Sequence, residues 1–277
     1  MTSHIIAVTN QKGGVGKTTT AIHLAHALVL HEKSLRVLLI DLDPQGNATQ
    51  GLGVKLETVE ASVADLIRDR NIPTEKAVYK GMGLDLIPAT PMLSKVEREM
   101  VGVTNAELRL ARRLESLAGK YSVILIDTPP TFGPLMNSAL NAAHKLIVPV
   151  DSSFYAMVGI KELLAEIEEI QLGTNRTLDV LGYLLTLTDQ TKITKEIFDA
   201  LVSGFGPQVF DTTIRRSVKF REASALGRTV FQHSPECSAT LDYLKLAEEV
   251  IAKLDLREPA HETAPSRLSL VREVGHE

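Results

Sequence analysis

A run of glycines that ends in a lysine and a threonine is the first group of residues with a recognisable chemistry. It reads Gly13-Gly14-Val15-Gly16-Lys17-Thr18 and lies between an aliphatic stretch and a predicted helix, the context that a phosphate-binding loop requires. Glycines let backbone N–H groups turn toward an anion, and a helix N-terminus adds partial positive charge. Lys17 is therefore expected to contact the β- and γ-phosphates of a nucleotide, and the Thr18 hydroxyl to bind Mg²⁺.

Three aspartates at the ends of aliphatic stretches could supply further chemistry beside that loop. Asp41 and Asp43 stand where one such stretch ends, and Asp127 ends another. Ligands of open parallel sheets bind at the carboxyl ends of the strands, so these carboxylates are expected at the nucleotide edge. Mg²⁺ takes few protein ligands and keeps several waters, which favours Thr18 with Asp127, the latter through a water. The residue types alone leave open that these aspartates only cap turns.

The elements that must position these residues alternate along the chain. Aliphatic runs predict strands over 5–8, 36–41, 84–88, 122–127, 145–150 and 180–187. Helical periodicity predicts helices over 17–30, 106–118, 158–172, 194–201 and 238–254. Such alternation indicates a single α/β domain, a mainly parallel twisted β-sheet with helices on both faces.

Two segments interrupt this alternation. The stretch 44–60 is rich in Gly, Gln, Asn and Thr and is predicted to be a mobile loop. Residues 257–277 carry prolines and many charges and are predicted to form a flexible C-terminal tail. The folded domain is accordingly expected to span residues 1–256.

Composition narrows the class of protein. The chain has 277 residues, 44% of them hydrophobic, and a net charge of -4. With no overall basic field, any contact with nucleic acid must come from a local patch. The single cysteine, Cys237, excludes an intrachain disulfide and a Cys-rich metal site within one subunit. We find no leader-like start and no apolar run long enough to cross a bilayer, so a cytoplasmic location is expected.

Lys12 stands directly before the glycines, where an ordinary phosphate loop needs no lysine. The stretch 12–18 resembles the deviant Walker A motif of the MinD/ParA superfamily. The stretches 41–49, 87–91 and 148–150 are similar to the ParA/Soj branch, the DNA-partition ATPases. The resemblance extends from residue 5 to about residue 254, nearly the whole chain apart from the tail.

The resemblance implies a Mg²⁺-dependent ATPase that uses ATP/ADP and closes its site by ATP-dependent formation of a homodimer. Lys12 is then expected to reach the partner's nucleotide and to act like an arginine finger, while Lys17 serves its own subunit. Asp43 matches the family's first switch and is expected to orient the attacking water. Asp41 is expected near the magnesium waters or as a lock on that loop. The resemblance thus implies that the catalytic residues are Lys12, Lys17 and Asp43.

The resemblance also assigns nucleotide contacts. Where the family has Pro-Arg-Asn against the adenine, this chain has Arg215-Arg216-Ser217, so base selectivity rests on analogy. The expected nucleotide-binding residues are Gln11, Lys12, Gly13, Gly14, Val15, Gly16, Lys17, Thr18, Thr19, Arg216 and Ser217.

A basic island follows in the segment 212–233, which holds Arg215, Arg216, Lys219, Arg221 and Arg228 against the single acid Glu222. Family members bind DNA on this side of the dimer, and such phosphate contacts are independent of base sequence. A family arginine appears here as Thr191, with lysines nearby. The expected contacts with non-specific double-stranded DNA are Lys192, Lys195, Arg216, Lys219 and Arg221.

Together these features predict a chromosome or plasmid partitioning ATPase, associated with the nucleoid and stimulated by a ParB-type centromere-binding partner. Three alternatives stay open. A ParA-like ATPase could position another cargo. A MinD-like cell-division ATPase would need a basic amphipathic helix at its C-terminus to bind a membrane, and the acidic tail argues against a membrane partner. An iron–sulfur relative would need interfacial cysteines, and Cys237 lies far from any switch segment.

Overall fold

A seven-stranded sheet forms the centre of the molecule. The computed structural model describes residues 3–81, 83–153 and 156–256, with no account of the side chains of 156–158. The strands are β1 (His4–Val8), β2 (Val37–Asp41), β3 (Tyr79–Gly81), β4 (Leu84–Ile87), β5 (Val123–Asp127), β6 (Lys145–Asp151) and β7 (Asp179–Thr186). Their order across the sheet is β3-β4-β2-β5-β1-β6-β7.

All neighbouring strands are parallel except β3 and β4, which pair antiparallel. The predicted parallel α/β sheet is thus confirmed. The edge strand β3 was not predicted, because Tyr79-Lys80-Gly81 is too short and too polar to show a strand pattern. β2 and β5 are buried along their whole length, which explains why they read as continuous aliphatic runs.

Helices cover both faces of this sheet. They are α1 (Lys17–His31), α2 (Asn47–Gly51), α3 (Val63–Arg68), α4 (Met92–Met100), α5 (Arg109–Leu114), α6 (Pro134–Ala142), α7 (Ala156–Gly173), α8 (Lys192–Phe205), α9 (Lys219–Ala225), α10 (Val230–His233) and α11 (Ser238–Lys253). Short 3₁₀ turns lie at Leu56–Thr58, Thr74–Ala77, Ala106–Leu108, Glu115–Leu117 and Gly206–Gln208.

Two sequence-based predictions need correction. The helix expected over 106–118 is α5 with a 3₁₀ turn at each end, where i→i+3 bonds such as Leu108 N to the Asn105 carbonyl tighten the chain. The expected loop over 44–60 contains α2, because buried Asp41 binds both the backbone and the hydroxyl of Thr49 and fixes this turn. The predicted tail, 257–277, lies outside the described residues.

Two hydrophobic layers separate the faces of the sheet. One contains Leu24 and Leu28 of α1 with Leu246 of α11, and α9 packs into it through Ala223. The other contains Leu110 and side chains of α3, α4 and α6. Leu24 and Leu28 are fully buried, and each such side chain stabilises the fold by about 1.5–3 kcal/mol. This layer holds α1 firmly, and α1 carries the phosphate loop at its N-terminus.

Candidate nucleotide site

The loop between β1 and α1 has the backbone shape of a phosphate cradle. Gly14 and Gly16 adopt φ of 79° and 87°, a left-handed conformation that residues with a Cβ strongly disfavour. A Cβ built on Gly13, Gly14 or Gly16 would meet no protein atom within 4 Å. The glycines therefore leave open space on the concave side of the loop, which a ligand could fill.

Two hydrogen bonds fix this loop to the sheet, and a third lies within the loop. The Asn10 side chain donates to the Pro149 carbonyl at 2.7 Å, and its Oδ1 accepts from Lys12 N at 3.0 Å. The Thr186 hydroxyl donates to the Val15 carbonyl at 2.7 Å. Because these partners lie on β6 and β7, strands distant in sequence hold the loop in place before any ligand arrives.

The start of α1 presents unsatisfied N–H groups and a buried ammonium. Gly16 caps the helix without a side-chain acceptor, so the first-turn N–H groups remain available to an anion. Lys17 is buried, and its Nζ donates to the Lys12 carbonyl at 3.0 Å. Burial lowers the pKa of Lys17, whereas the nearby Asp127 and Asp43 raise it. The ammonium thus lies between the loop and two carboxylates.

Asp127 is the clearest candidate for a metal-associated ligand. It lies in register with Asp41 across β2 and β5, and it is fully buried. Neither of its carboxylate oxygens has a hydrogen-bond partner among the described residues, although the Thr18 hydroxyl lies near enough to lower its pKa. Burial and the charge of Asp41 outweigh that effect and raise the pKa of Asp127 well above the usual value. An unpaired buried carboxylate beside a threonine hydroxyl fits Mg²⁺, a hard cation that prefers oxygen ligands.

The other two aspartates have different tasks. Both oxygens of Asp41 are used within the protein, one for Asp43 N and the other for Thr49, and burial raises its pKa to about 6. Asp41 therefore locks the segment after β2. This is one of the two roles expected for it from the sequence, the other being a place near the magnesium waters. Asp43 accepts from Gln45 N at 2.9 Å and lines the cavity beside the loop. Within the part of the chain that the structure describes, its second oxygen accepts no hydrogen bond, so it is free to hold a water.

A cavity of about 750 Å³ extends from the phosphate loop toward α9. Gly13, Gly14, Gly16, Lys17, Thr18 and Thr19 line one end, and Asp43 borders it. The far end is formed by Phe220, Arg221 and Ser224 of α9. The lining residues include neither Arg216 nor Ser217, which were expected to contact the base. They do include Arg221, which was expected to contact DNA. These contacts stay predictions, and α9 supplies the cavity wall.

His23 belongs to this cavity and was missed. Its Nδ1 bonds the Thr19 carbonyl at 2.7 Å, and its ring stacks on Tyr243 with centroids 5.3 Å apart. Its Nε2 is buried and has no partner in residues 3–81, 83–153 or 156–256, and burial lowers its pKa to about 4. One signal in the sequence could have indicated this role, since His23 lies four residues after Thr19 and so on the same helix face.

The segment that follows Asp43 touches α9 through glycines. A Cβ on Gly227 would lie 2.7 Å from the Gly53 Cα, and a Cβ on Gly51 would lie 3.1 Å from the Ser224 hydroxyl. Gly53 and Gly227 both have positive φ, at 70° and 63°. The backbones after α2 and after α9 are therefore in direct contact, which no pair of larger residues would permit.

Lys12 is held within its own subunit. Its Nζ lies 2.7 Å from Asp151 Oδ2, 2.9 Å from Oδ1 and 2.6 Å from the Ser153 hydroxyl. The Lys12 side chain is 38% exposed and does not line the cavity that Lys17 borders. Two neighbouring lysines of one loop thus point to different places.

The basic island divides into paired and unpaired residues. Arg215 forms a bidentate ion pair with buried Asp242, which makes it a structural residue. Lys219 pairs with Glu222 at 2.7 Å, and Glu222 also contacts His233. Arg216 is exposed, and its backbone N–H bonds the Thr188 carbonyl at 3.0 Å. That bond places the loop beside the start of α8, where Lys192 and Lys195 are exposed.

Comparisons with known proteins agree with this geometry. A family model described as "AAA domain" matches residues 3–180. The chromosome-partitioning ATPase Soj of Thermus thermophilus is 44% identical over 90% of this chain and 96% of its own length. The sporulation initiation inhibitor protein Soj of Bacillus subtilis is 40% identical over 90% and 98%.

A solved structure extends the likeness to a loaded site. Cobyrinic acid a,c-diamide synthase of Mycobacterium smegmatis, with a bound ATP analogue and magnesium, matches with a TM-score of 0.78 and 30% identity. The match covers 94% of this chain and 100% of that one. Within the described residues, no helix is long and apolar enough to span a bilayer. With its phosphate loop, buried carboxylates and close relatives, this chain belongs to the ParA/Soj family of ATPases.

Proposed function

We propose that this ATPase partitions a chromosome or plasmid by cycling between a monomer and an ATP-bound homodimer that holds non-specific double-stranded DNA. The relatives named as chromosome-partitioning proteins support the biological role. The observation that carries the mechanism is the pair of lysines in one loop. Lys17 is buried and lines the cavity, whereas Lys12 is partly exposed, pairs with Asp151 and is not among the lining residues.

Lys12 is the residue that would make formation of the dimer depend on the bound nucleotide. On release from Asp151, its ammonium would enter the partner's site and stabilise the negative charge that develops on the transferred phosphoryl group. Contributions of this kind made in trans increase rates by roughly 10³–10⁵. Each subunit would then lack one cation for catalysis until the second subunit arrives.

Asp43 would orient the attacking water in this dimer. Its carboxylate borders the cavity near Lys17 and is held by Gln45 N. Thr18 and Asp127 would hold Mg²⁺, which when bound neutralises charge on the phosphate oxygens. Because Asp41 clamps the segment after β2, Asp43 would keep its position while water is aligned.

The DNA surface would comprise Lys192, Lys195, Arg216, Lys219 and Arg221. The bond between Arg216 and Thr188 joins the two halves of this surface in one subunit, and a two-fold dimer would present it twice. Each phosphate neutralised contributes about 0.9 to the slope of log affinity against log salt. Doubling a small patch therefore makes nucleotide-dependent dimerisation a switch for DNA affinity. Hydrolysis, stimulated by a ParB-type partner, would reverse it and release the protein from the nucleoid.

Light scattering with and without ATP tests the lysine assignment. Lys12→Ala should bind nucleotide as wild type does but fail to form the ATP-dependent dimer. Lys55→Ala, an exposed lysine elsewhere, is the matched control and should dimerise normally. A Lys12→Ala variant that still dimerises with ATP would contradict the trans role.

DNA binding is tested separately on Lys219. Lys219→Glu should reduce the affinity of the ATP-bound protein for duplex DNA about ten-fold or more and lower its salt slope. Lys245→Glu introduces the same charge change on the exposed face of α11 and should leave DNA affinity nearly unchanged. Equal losses in both variants would mean that net charge, and not this surface, governs binding.

A further inference from the structure

Arginines line a second cavity on the face of the sheet opposite α9. The cavity has a volume of about 620 Å³ and lies between the C-terminal end of α3 and the helix α5. Its lining residues include five arginines, Arg68, Arg70, Arg109, Arg112 and Arg113. The apolar floor is Leu66 and Ile67, which belong to the hydrophobic layer opposite that of α1, α9 and α11. This cavity is therefore separate from the nucleotide site and from the basic island.

The arginines converge because of how the two helices are arranged. Arg109, Arg112 and Arg113 follow at i, i+3 and i+4 on α5, so they share one helix face. Arg113 Nη1 donates to the Arg70 carbonyl at 2.7 Å and links α5 to the chain that leaves α3. The Arg113 carbonyl in turn accepts from the Thr74 hydroxyl at 3.0 Å. These bonds fix both walls of the cavity.

The charge of this cluster is mostly uncompensated. Glu99 lies 3.6 Å from Arg68 and also contacts Lys95. Asp69, on the cavity wall, accepts from Asn71 N. Glu75, whose pKa the charge of Arg113 helps to lower, is bonded to Lys120. Among the residues that the structure describes, no carboxylate lies within ion-pair distance of Arg70, Arg109, Arg112 or Arg113.

Two donor atoms of the Arg113 guanidinium lack an acceptor. Its Nε and Nη2 are buried, yet neither has a hydrogen-bond acceptor in the described chain. A buried charged donor without an acceptor is destabilising, and it would gain one if the Arg113 side chain turned toward an anion in the cavity. Two adjacent donors of one guanidinium match the two oxygens of a phosphate or carboxylate.

We propose that this cavity binds a small polyanion with two or more phosphoryl groups, as a second ligand site distinct from the ATP site. Its volume lies in the range of about 300–1,000 Å³ that is usual for small-ligand pockets. A concave site suits a compact ligand better than a rigid duplex, whose phosphates lie on a convex surface. The planar forks of five arginines supply more donors than one phosphate can use. The assignment does not rest on the partitioning role.

Titration calorimetry with inorganic tripolyphosphate tests the site on the full chain, with the phosphate loop first saturated by ADP. Wild type is expected to bind one tripolyphosphate per subunit. Arg112→Ala removes an exposed arginine, so it should fold normally while binding tripolyphosphate about ten-fold more weakly or not at all. Arg176→Ala, an exposed arginine outside the cavity, is the matched control and should bind as wild type does.

Three outcomes would overturn the proposal. Equal affinity in wild type, Arg112→Ala and Arg176→Ala would show diffuse charge binding. Loss of tripolyphosphate binding on saturation with ADP would place the ligand in the phosphate loop. Duplex DNA that displaces tripolyphosphate and itself depends on Arg112 would make the cavity part of a nucleic-acid surface. Thermal unfolding of each variant without ligand checks that a loss of binding is not a loss of fold.

Discussion

The Lys12 ammonium lies 2.7 Å from the Asp151 carboxylate of its own subunit. The neighbouring Ser153 hydroxyl completes this contact at 2.6 Å. The pair joins the phosphate loop to the end of β6 and turns Lys12 away from the cavity of its own subunit. A trans role for Lys12 therefore requires that one ion pair be exchanged for another.

Asp151→Asn should shift this exchange toward the dimer. Partly exposed ion pairs contribute at most about 1 kcal/mol, so ATP-dependent dimerisation should occur at a protein concentration about two- to five-fold lower. Light scattering over a concentration series measures the effect. The double variant Lys12→Ala, Asp151→Asn should lose the gain. Weaker dimerisation of Asp151→Asn would show that Asp151 supports the dimer rather than restraining Lys12.

Asp127→Asn should stabilise the nucleotide-free protein against unfolding. It should also abolish the stabilisation that Mg²⁺ gives in the presence of ADP. The pKa of Asp127 is raised by burial, so its carboxylate destabilises the fold increasingly as the pH rises through that value. Urea unfolding at about pH 8 should give the variant an advantage of about 1–2 kcal/mol over wild type, and less near pH 5. The Mg²⁺-dependent rise in Tm with ADP should be lost. A variant that is less stable at both pH values would mean that Asp127 has a partner in the fold.

His26 should make stability depend on pH. It is buried, it bonds the Thr229 hydroxyl at 2.8 Å, and burial lowers its pKa to about 4. The unfolded chain takes up this proton near pH 6.5, so the stabilisation is present above that pH and is lost as the pH falls toward 4. His26→Gln should remove a slope worth about 3 kcal/mol over that interval.

Only the difference between the two proteins isolates the histidine. Asp41, with a pKa raised to about 6, contributes a slope of opposite sign in both. Urea unfolding of wild type and variant at several pH values gives the comparison. Parallel curves would mean that His26 is protonated in the folded protein without cost.

Gly227→Ala should destabilise the contact between the segments that follow α2 and α9. The new Cβ would lie 2.7 Å from the Gly53 backbone, and a positive φ adds about 1 kcal/mol or more of strain. A fall of about 2–4 kcal/mol in the free energy of unfolding is expected. Gly204→Ala, within α8 and facing open space, is the control and should stabilise by up to about 1 kcal/mol. A neutral Gly227→Ala would show that the two segments can separate freely.

A feature of this protein could be predicted from the sequence when it depends on residues that are close together along the chain, and could not when it depends on tertiary contacts. The phosphate loop and the strand before Asp127 are local patterns, so Gly13 to Thr18 and the parallel sheet were predictable. The roles of three other residues could not be predicted, because they arise from tertiary contacts. Thr49 bonds Asp41, and His23 packs against Phe220. Arg215 looked like its basic neighbours in sequence, and only the fold pairs it with Asp242, 27 residues away.

The contact of Gly53 with Gly227 also has a mechanical meaning. Two bare backbones have no rotamers to rearrange, so a displacement on one side cannot be absorbed by side chains and must be passed on. Gly53 lies ten residues beyond Asp43, and Gly227 two beyond α9. The segment that follows Asp43 and the helix that carries Lys219 are thus in rigid contact, so that a displacement of one must displace the other.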